Sequence, residues 1–134
     1  MNILFICKWN RFRSKCAEAI FNKFNETSKH EARSAGIIGD HPISKILRDN
    51  VKRFDIEIKG KPNHIDIGLL RWMDILVIVA DDVPSSLFVD DNKNHGKKTL
   101  VWKIKDTTED NVTEIGDIIE DLGNRIKQLL KTLH

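Results

Sequence analysis

Near its start the chain reads Ile3-Leu4-Phe5-Ile6-Cys7-Lys8-Trp9-Asn10-Arg11-Phe12-Arg13-Ser14. The apolar run from Ile3 to Ile6 predicts a buried strand, and a helical pattern begins at about Lys15. A loop between a strand end and a helix start can turn its N–H groups inward, where the helix dipole adds to their positive potential. The stretch therefore predicts an anion-binding loop between the first strand and the first helix.

Within this loop, five residues separate Cys7 from the pair Arg13 and Ser14. The field that binds an anion also stabilises a thiolate, so Cys7 would be a nucleophile beneath a bound phosphate. Arg13 would hold two phosphate oxygens with its planar guanidinium. Ser14 can cap the helix. A structural role stays open for Cys7, because cysteine is also common as a small buried residue.

The composition is that of an ordinary globular protein. The chain has 134 residues, of which 40% are hydrophobic and 31% charged, so we expect one domain over residues 1–134. A net charge of +2 without a long basic run argues against nucleic acid as a partner. We find neither a signal-peptide pattern nor a membrane-spanning run, and therefore expect no membrane association. The two cysteines then indicate free thiols and a cytoplasmic location.

Strand-like runs alternate with helical patterns along the chain, which is typical of a parallel α/β sheet. Strands are predicted at 2–6, 31–35, 74–80 and 99–102, and the main helices from about 14, over 43–54 and over 112–133. The predicted fold is a single three-layer α/β domain with a four-stranded parallel sheet, helices on both faces and a phosphate-binding loop after the first strand. Ligands bind at the carboxyl ends of such strands, so we expect Cys7, Asp81, Asp82 and Asp106 on one rim.

The loop and two neighbouring segments resemble the low-molecular-weight protein tyrosine phosphatases; the segments are Ala17-Glu18-Ala19-Ile20-Phe21 and Arg33-Ser34-Ala35-Gly36-Ile37. The likeness includes the strand at 74–80 and a late strand followed by an aspartate, and covers most of the chain. It implies that Cys7 forms a phosphocysteine, that Arg13 stabilises the transition state, and that Asp106 acts first as acid and then as base. Asp110 and either Asp81 or Asp82 are the fallback candidates for the acid.

The predicted phosphate-binding residues are those of the loop: Lys8, Trp9, Asn10, Arg11, Phe12, Arg13 and Ser14. Lys8, Arg11 and Phe12 would contribute mainly backbone N–H groups, and the two basic side chains would add positive charge at the mouth. Asn10 tolerates a left-handed backbone, and the resemblance implies that it braces the loop and that the Ser14 hydroxyl bonds to the thiolate. Trp9 would lie at the pocket wall, where it could stack on a flat phosphorylated group.

The chain departs from the family at several positions. Trp9 stands where many members have glycine, Thr107 follows the candidate acid where proline is usual, and there is no tyrosine. Phe12 replaces a cysteine that in several members forms a disulfide with the nucleophile, so that redox switch should be missing unless Cys16 replaces it. Cys16 falls on the apolar side of the first helix and is predicted to be a buried structural thiol. Trp72 and Trp102 are predicted to pack in or beside the core.

These observations predict a cysteine-dependent phosphatase acting on phosphotyrosine or related aryl phosphate monoesters, with a phosphorylated protein or a small aryl phosphate as its partner and no cofactor. The five histidines show no ligand spacing, so no metal site is predicted. One alternative is an arsenate reductase that uses the same cysteine; those coupled to thioredoxin need two further cysteines, whereas this chain offers only Cys16. The other is a loop that binds phosphate without turnover. No oligomeric state is predicted.

Overall fold

The computed structural model describes residues 1–39, 41–88 and 97–133. Its helices and strands follow in the order β1 (Asn2–Cys7), α1 (Arg13–Phe24), β2 (Glu31–Gly36), α2 (Lys45–Lys52), α3 (Ile67–Trp72), β3 (Ile75–Val79), a 3₁₀ turn (Ser85–Phe88), β4 (Lys98–Trp102) and α4 (Val112–Thr132). The predicted strands and main helices are all present, with ends shifted by a few residues.

The four strands form one parallel sheet in the order β2-β1-β3-β4. β1 is central and pairs with both β2 and β3, and its last residue, Cys7, lies opposite Gly36 of β2. Because all strands run the same way, their carboxyl ends share one edge of the sheet. That edge carries the loop after β1, which is the segment that the sequence predicts to bind an anion.

Both faces of the central strands β1 and β3 are buried, as the predicted three-layer fold requires. Along β1, Ile3 and Phe5 point into a core shared with α1 and α4, whereas Leu4 and Ile6 point into a second core beneath α3. This alternation follows from the two-residue period of a strand. Trp102 packs against the first core and Trp72 against the second, as predicted.

Helix α2 is shorter than the predicted span of 43–54. It begins after Ser44, whose hydroxyl caps it by accepting the N–H of Leu47 at 3.1 Å, and it ends at Lys52. The helical spacing of Ile46, Leu47 and Val51 predicts one buried apolar face. Leu47 and Val51 are buried, but Ile46 is 56% exposed, so the prediction is wrong for Ile46. The buried face of this short helix therefore includes fewer residues than the apolar pattern suggests. Ile46 lines a pocket.

Helix α4 is amphipathic: its polar residues face outward, and its apolar stripe of Ile115, Ile118, Leu122, Ile126 and Leu129 is buried. Over the described ranges, no helix is both long enough and apolar enough to cross a membrane.

Candidate active site

The loop from Cys7 to Phe12 joins β1 to α1 and has the geometry of an anion cradle. Asn10 has φ of 53°, the left-handed conformation that the sequence analysis expected of it. This turn brings the Asn10 N–H to within 3.3 Å of the Cys7 sulfur. The N–H groups of Trp9, Arg11 and Phe12 have no protein acceptor within the described ranges. The loop and the first turn of α1 therefore offer donors to a bound anion.

The Cys7 thiol is 2% exposed and sits at the base of the loop. Its sulfur lies 2.9 Å from the Ser14 hydroxyl oxygen, which also accepts a hydrogen bond of 2.7 Å from the Asn10 side-chain amide. Because Asn10 is the donor in that bond, the Ser14 hydrogen is free to point at the sulfur. The hydroxyl and the Asn10 N–H together suit a negatively charged sulfur.

The prediction that Ser14 caps α1 is wrong. Phe12 is the residue at the cap position, no side chain caps the helix there, and Ser14 lies inside the first turn. The Ser14 hydroxyl is engaged instead by Cys7 and Asn10. The contact between Ser14 and the sulfur that the family resemblance implies is present.

Two residues that the sequence analysis did not assign to the site hold the loop from outside. The backbone N–H of Asn63 donates to the Asn10 side-chain oxygen at 2.7 Å, so Asn10 is fixed from both ends. Gly36, at the end of β2, passes so close that a Cβ there would lie 2.7 Å from the carbonyl carbon of Trp9 and 2.8 Å from the nitrogen of Asn10. Gly36 was recognised only as part of a family segment and a strand end, because neither its contact nor that of Asn63 is visible in local sequence.

The Arg13 side chain is buried, with 2% exposure, and its guanidinium contacts the ends of β3 and β4. It donates to the carbonyl of Ile104 at 2.9 Å. Its terminal nitrogens lie 3.1 Å from a carboxylate oxygen of Asp82, 3.6 Å from Asp81 and 3.8 Å from Asp106. The predicted meeting of these three aspartates with the loop on one rim is confirmed.

The three carboxylates beside Arg13 differ in their access to the pocket. Asp106 both pairs with Arg13 and lines the pocket above Cys7, whereas Asp81 and Asp82 only pair with Arg13. The fourth candidate, Asp110, lines the pocket but does not contact Arg13. Asp106 alone among the four combines both properties, and its side chain is about half exposed at 48%.

The turn that carries Asp106 is tied to helix α4. Asp106 accepts the N–H of Thr107 at 2.9 Å, and the Thr107 hydroxyl donates to Glu114 at 2.5 Å. Lys105 donates to the same carboxylate at 3.3 Å. The hydrogen bond from Thr107, followed by that from Lys105, lowers the pKa of Glu114. These contacts set the position of the Asp106 backbone relative to α4.

A pocket of about 470 Å³ opens above Cys7 and Arg13. Its lining residues are Cys7, Trp9, Arg11, Phe12, Arg13, Ile46, Leu47 and the segment 106–110. Trp9 is at the wall, as predicted, with its ring 4.8 Å from that of His41 in an edge-on contact. Lys8 is not in the lining, and its ammonium lies over the Trp9 ring, 5.5 Å from the ring centroid. Phe12 is mostly buried in the core, at 5% exposure.

Both cysteines are free thiols, and Cys16 is fully buried as predicted. Burial raises the pKa of the Cys16 thiol, and the neighbouring Cys7 acts in the same direction. Cys16 is therefore a poor nucleophile at neutral pH. In the described part of the chain, no group of three or more metal-ligating side chains is assembled.

The sequence and the fold are similar to those of known proteins. The family model for low molecular weight phosphotyrosine protein phosphatase matches residues 2–134. A low molecular weight protein tyrosine phosphatase from T. tengcongensis is 23% identical, with 99% of each chain covered and a TM-score of 0.83. The YwlE arginine phosphatase from Geobacillus stearothermophilus is 18% identical over 99% of this chain and 97% of that one, with a TM-score of 0.78.

An arsenate reductase from Archaeoglobus fulgidus also shares the fold, with 20% identity, coverage of 96% of this chain and 98% of that one, and a TM-score of 0.73. At these identities the solved structures show a common fold, whereas the family model covers almost the whole chain. With its Cys7–Ser14 loop, its buried Arg13 and its parallel sheet, the chain belongs to the low molecular weight phosphotyrosine protein phosphatase family.

Proposed function

We propose that the protein is a cysteine-dependent phosphatase that hydrolyses phosphotyrosine or related aryl phosphate monoesters through a phosphocysteine intermediate. Membership of the family supports a cysteine-based phosphatase. The observation that carries the proposal is that Cys7, Arg13 and Asp106 line one pocket, with the Cys7 sulfur beneath a loop of free N–H donors. We expect a phosphorylated protein or a small aryl phosphate as the substrate, and the cytoplasm as the location, since both thiols are free.

In the first step of the proposed reaction, the Cys7 thiolate attacks phosphorus. The S–P bond forms as the bond to the leaving oxygen breaks, and Asp106 delivers its proton to that oxygen. Arg13 and the loop N–H groups hold the phosphoryl oxygens as their charge redistributes. The contacts of Arg13 with Ile104 and Asp82 hold its guanidinium in place beside the pocket.

In the second step, Asp106 takes a proton from water as the water attacks phosphorus. The S–P bond breaks, and Cys7 leaves as a thiolate. Ser14 and the Asn10 N–H lie at 2.9 and 3.3 Å from the sulfur, where they would stabilise that leaving group.

Apolar groups at the pocket wall support an aryl substrate. Trp9, Ile46 and Leu47 all line the pocket, and Ile46 is 56% exposed overall. A flat aromatic ring gains from burial against such a wall, whereas a short phosphoserine side chain reaches less of it.

The arsenate reductase alternative has weaker support. In the part of the chain that the structure describes, Cys16 is the other thiol, and it is buried with a raised pKa. It is poorly placed to attack a second sulfur, so arsenate reduction would depend on a thiol from outside. A phosphoarginine substrate, the class named for one structural relative, would place its cationic group in a pocket that already holds Arg11 and Arg13.

A comparison of substrates tests the proposed specificity. We expect kcat/KM for phosphotyrosine to exceed that for phosphoserine roughly a hundredfold, because the pocket wall adds binding energy only for the aryl group. Phosphoarginine and arsenate with glutathione serve as competing substrates. A higher kcat/KM for phosphoarginine, or arsenate reduction without phosphotyrosine hydrolysis, would overturn the aryl phosphatase proposal.

A matched pair of aspartate variants tests the assigned acid. Asp106→Asn should lower kcat about a hundredfold or more while leaving the inhibition constant of inorganic phosphate nearly unchanged. Asp110→Asn also removes a carboxylate from the pocket but leaves Asp106 beside Arg13. It should change kcat only a few-fold. A large loss of kcat in Asp110→Asn with little effect in Asp106→Asn would transfer the acid role to Asp110.

A further inference from the structure

Arg11 is a second cation in the pocket and is held there by a single weak contact. Its side chain is 31% exposed and lines the pocket together with Arg13. One terminal nitrogen lies 3.4 Å from a carboxylate oxygen of Glu109, and this is its sole polar side-chain contact within the described ranges. A guanidinium has five N–H donors, so most of the hydrogen-bonding capacity of Arg11 is unused.

The position of Arg11 also leaves a buried donor without a partner. Its Nε is the one buried side-chain nitrogen or oxygen, among the described residues, that has no hydrogen-bond acceptor. A buried unpaired donor is costly, so the resting place of this guanidinium is poorly stabilised. A stronger acceptor in the pocket would compete well with Glu109 for it.

Glu109 does not need Arg11 to keep its own position. The Ser44 hydroxyl donates to the same Glu109 carboxylate oxygen that Arg11 contacts. The Asn50 side-chain amide donates to the Glu109 carbonyl at 2.9 Å. If Arg11 moved away from Glu109, the hydrogen bonds from Ser44 and Asn50 would still hold Glu109 in place.

A single phosphate group already has its ligands in Arg13 and the N–H groups of the loop. Arg11 is then a surplus cation in the lining of the same pocket. We propose that Arg11 is a specificity-determining residue that binds a second anionic group of the substrate, a carboxylate or a second phosphate, close to the phosphate that is hydrolysed. This inference rests on the proposed function. It narrows the substrate class to aryl phosphates that carry a further anionic group besides the phosphate that is hydrolysed.

Binding measurements test this inference without depending on turnover. In the Cys7→Ser protein, the dissociation constants of phenyl phosphate and of the 2-, 3- and 4-carboxyphenyl phosphates can be compared by calorimetry. We expect at least one carboxylated isomer to bind roughly tenfold more tightly than phenyl phosphate, the advantage of a charge-assisted contact. Arg11→Gln in the same background should remove that advantage and change the binding of phenyl phosphate by much less.

Two further variants separate a specific contact from general charge and from misfolding. Glu109→Gln frees Arg11 from its partner and should increase the preference for the carboxylated isomer. Lys45→Gln removes an exposed cation, 91% accessible, that stands beside Ile46 but does not line the pocket, and should leave the preference unchanged.

Equal affinity for phenyl phosphate and all three isomers would overturn the inference, as would a preference that survives Arg11→Gln. Parallel assays of phenyl phosphate hydrolysis by the wild-type protein distinguish this failure from failure of the proposed function. Hydrolysis without a carboxylate preference rejects the role of Arg11 alone, whereas a preference without hydrolysis rejects the phosphatase proposal and retains the second anion site.

Discussion

A terminal nitrogen of Arg13 lies 3.1 Å from a carboxylate oxygen of Asp82, so the residue proposed to hold phosphate is already paired with an anion. Asp81 approaches the same guanidinium at 3.6 Å. The pair orients the guanidinium at the carboxyl ends of β3 and β4. It also opposes phosphate, because a second anion beside Arg13 is repelled by the Asp82 carboxylate.

Removal of that charge should therefore strengthen phosphate binding. Asp82→Asn keeps the size of the side chain, and we expect it to lower the inhibition constant of inorganic phosphate roughly three- to tenfold, since the carboxylate is partly exposed and screened. Competition against p-nitrophenyl phosphate measures this constant. Asp49→Asn, on the α2 surface beside Lys45, is the charge-matched control and should have no effect. Weaker phosphate binding in Asp82→Asn would mean that Asp82 mainly positions Arg13.

Gly36 is expected to be essential for the shape of the loop. In Gly36→Ala the new methyl group would lie 2.7 to 3.0 Å from backbone atoms of residues 8–10, which cannot move away without distorting the loop. We expect kcat/KM to fall about tenfold or more and the free energy of unfolding to fall by about 1–3 kcal/mol. Denaturant titration and steady-state kinetics measure the two effects.

Gly123→Ala is the matched control for that variant. Gly123 lies inside α4, and a Cβ there would meet nothing within 4 Å. Alanine should raise the free energy of unfolding by about 0.5–1 kcal/mol through its higher helix propensity, with kcat/KM unchanged. If Gly36→Ala left kcat/KM unchanged, as Gly123→Ala should, the close packing of β2 against the loop would not be needed for activity.

Asn10 combines a strained backbone with a bridging side chain, and the two can be separated. Asn10→Gly keeps access to positive φ but removes the hydrogen bonds to Ser14 and from Asn63. We expect kcat/KM to fall roughly tenfold or more, and stability to fall by about 1–3 kcal/mol because buried partners lose their bonds. Asp55→Gly, at the other described non-glycine position with positive φ, should leave kcat/KM unchanged. Activity retained in Asn10→Gly would show that the loop needs only the backbone conformation.

The lowered pKa of Glu114 predicts a pH-dependent contribution to stability. Because its pKa in the folded protein is below the ordinary value of 4.5, the contribution is fully present above pH 4.5 and is lost as the pH falls below it, through the folded-state pKa. Glu114→Gln should therefore be less stable than the wild type at pH 7, with the difference shrinking in acid. Thermal unfolding from pH 3 to 7 measures this, with the exposed Glu120→Gln on the same helix as a control. A stability difference between Glu114→Gln and the wild type that does not change with pH would contradict the lowered pKa of Glu114.

Most of the fold could be predicted because its signals are local. The apolar run of β1, the buried run of β3 and the long stripe of α4 each specify their own element. The loop could be predicted for the same reason, since Cys7, Arg13 and Ser14 are close together in sequence.

The contacts that hold the loop could not be predicted, because they join distant parts of the chain. Asn63 is 53 residues from Asn10, and only the folded protein shows that its N–H completes the Asn10 bridge. The error over Ser14 has the same origin, since a local capping preference lost to tertiary hydrogen bonds with Cys7 and Asn10. Ile46 was misassigned because periodicity identifies an apolar face but not whether a pocket opens beside it.

The central claim is that Cys7 carries the reaction, and hydrolysis of p-nitrophenyl phosphate at mildly acidic pH in the presence of a metal chelator tests it most directly. We predict turnover by the wild-type protein that resists the chelator and falls by at least about a thousandfold in Cys7→Ser, as expected when a covalent nucleophile is removed. Turnover that survives in Cys7→Ser, or wild-type turnover that the chelator abolishes, would contradict the account.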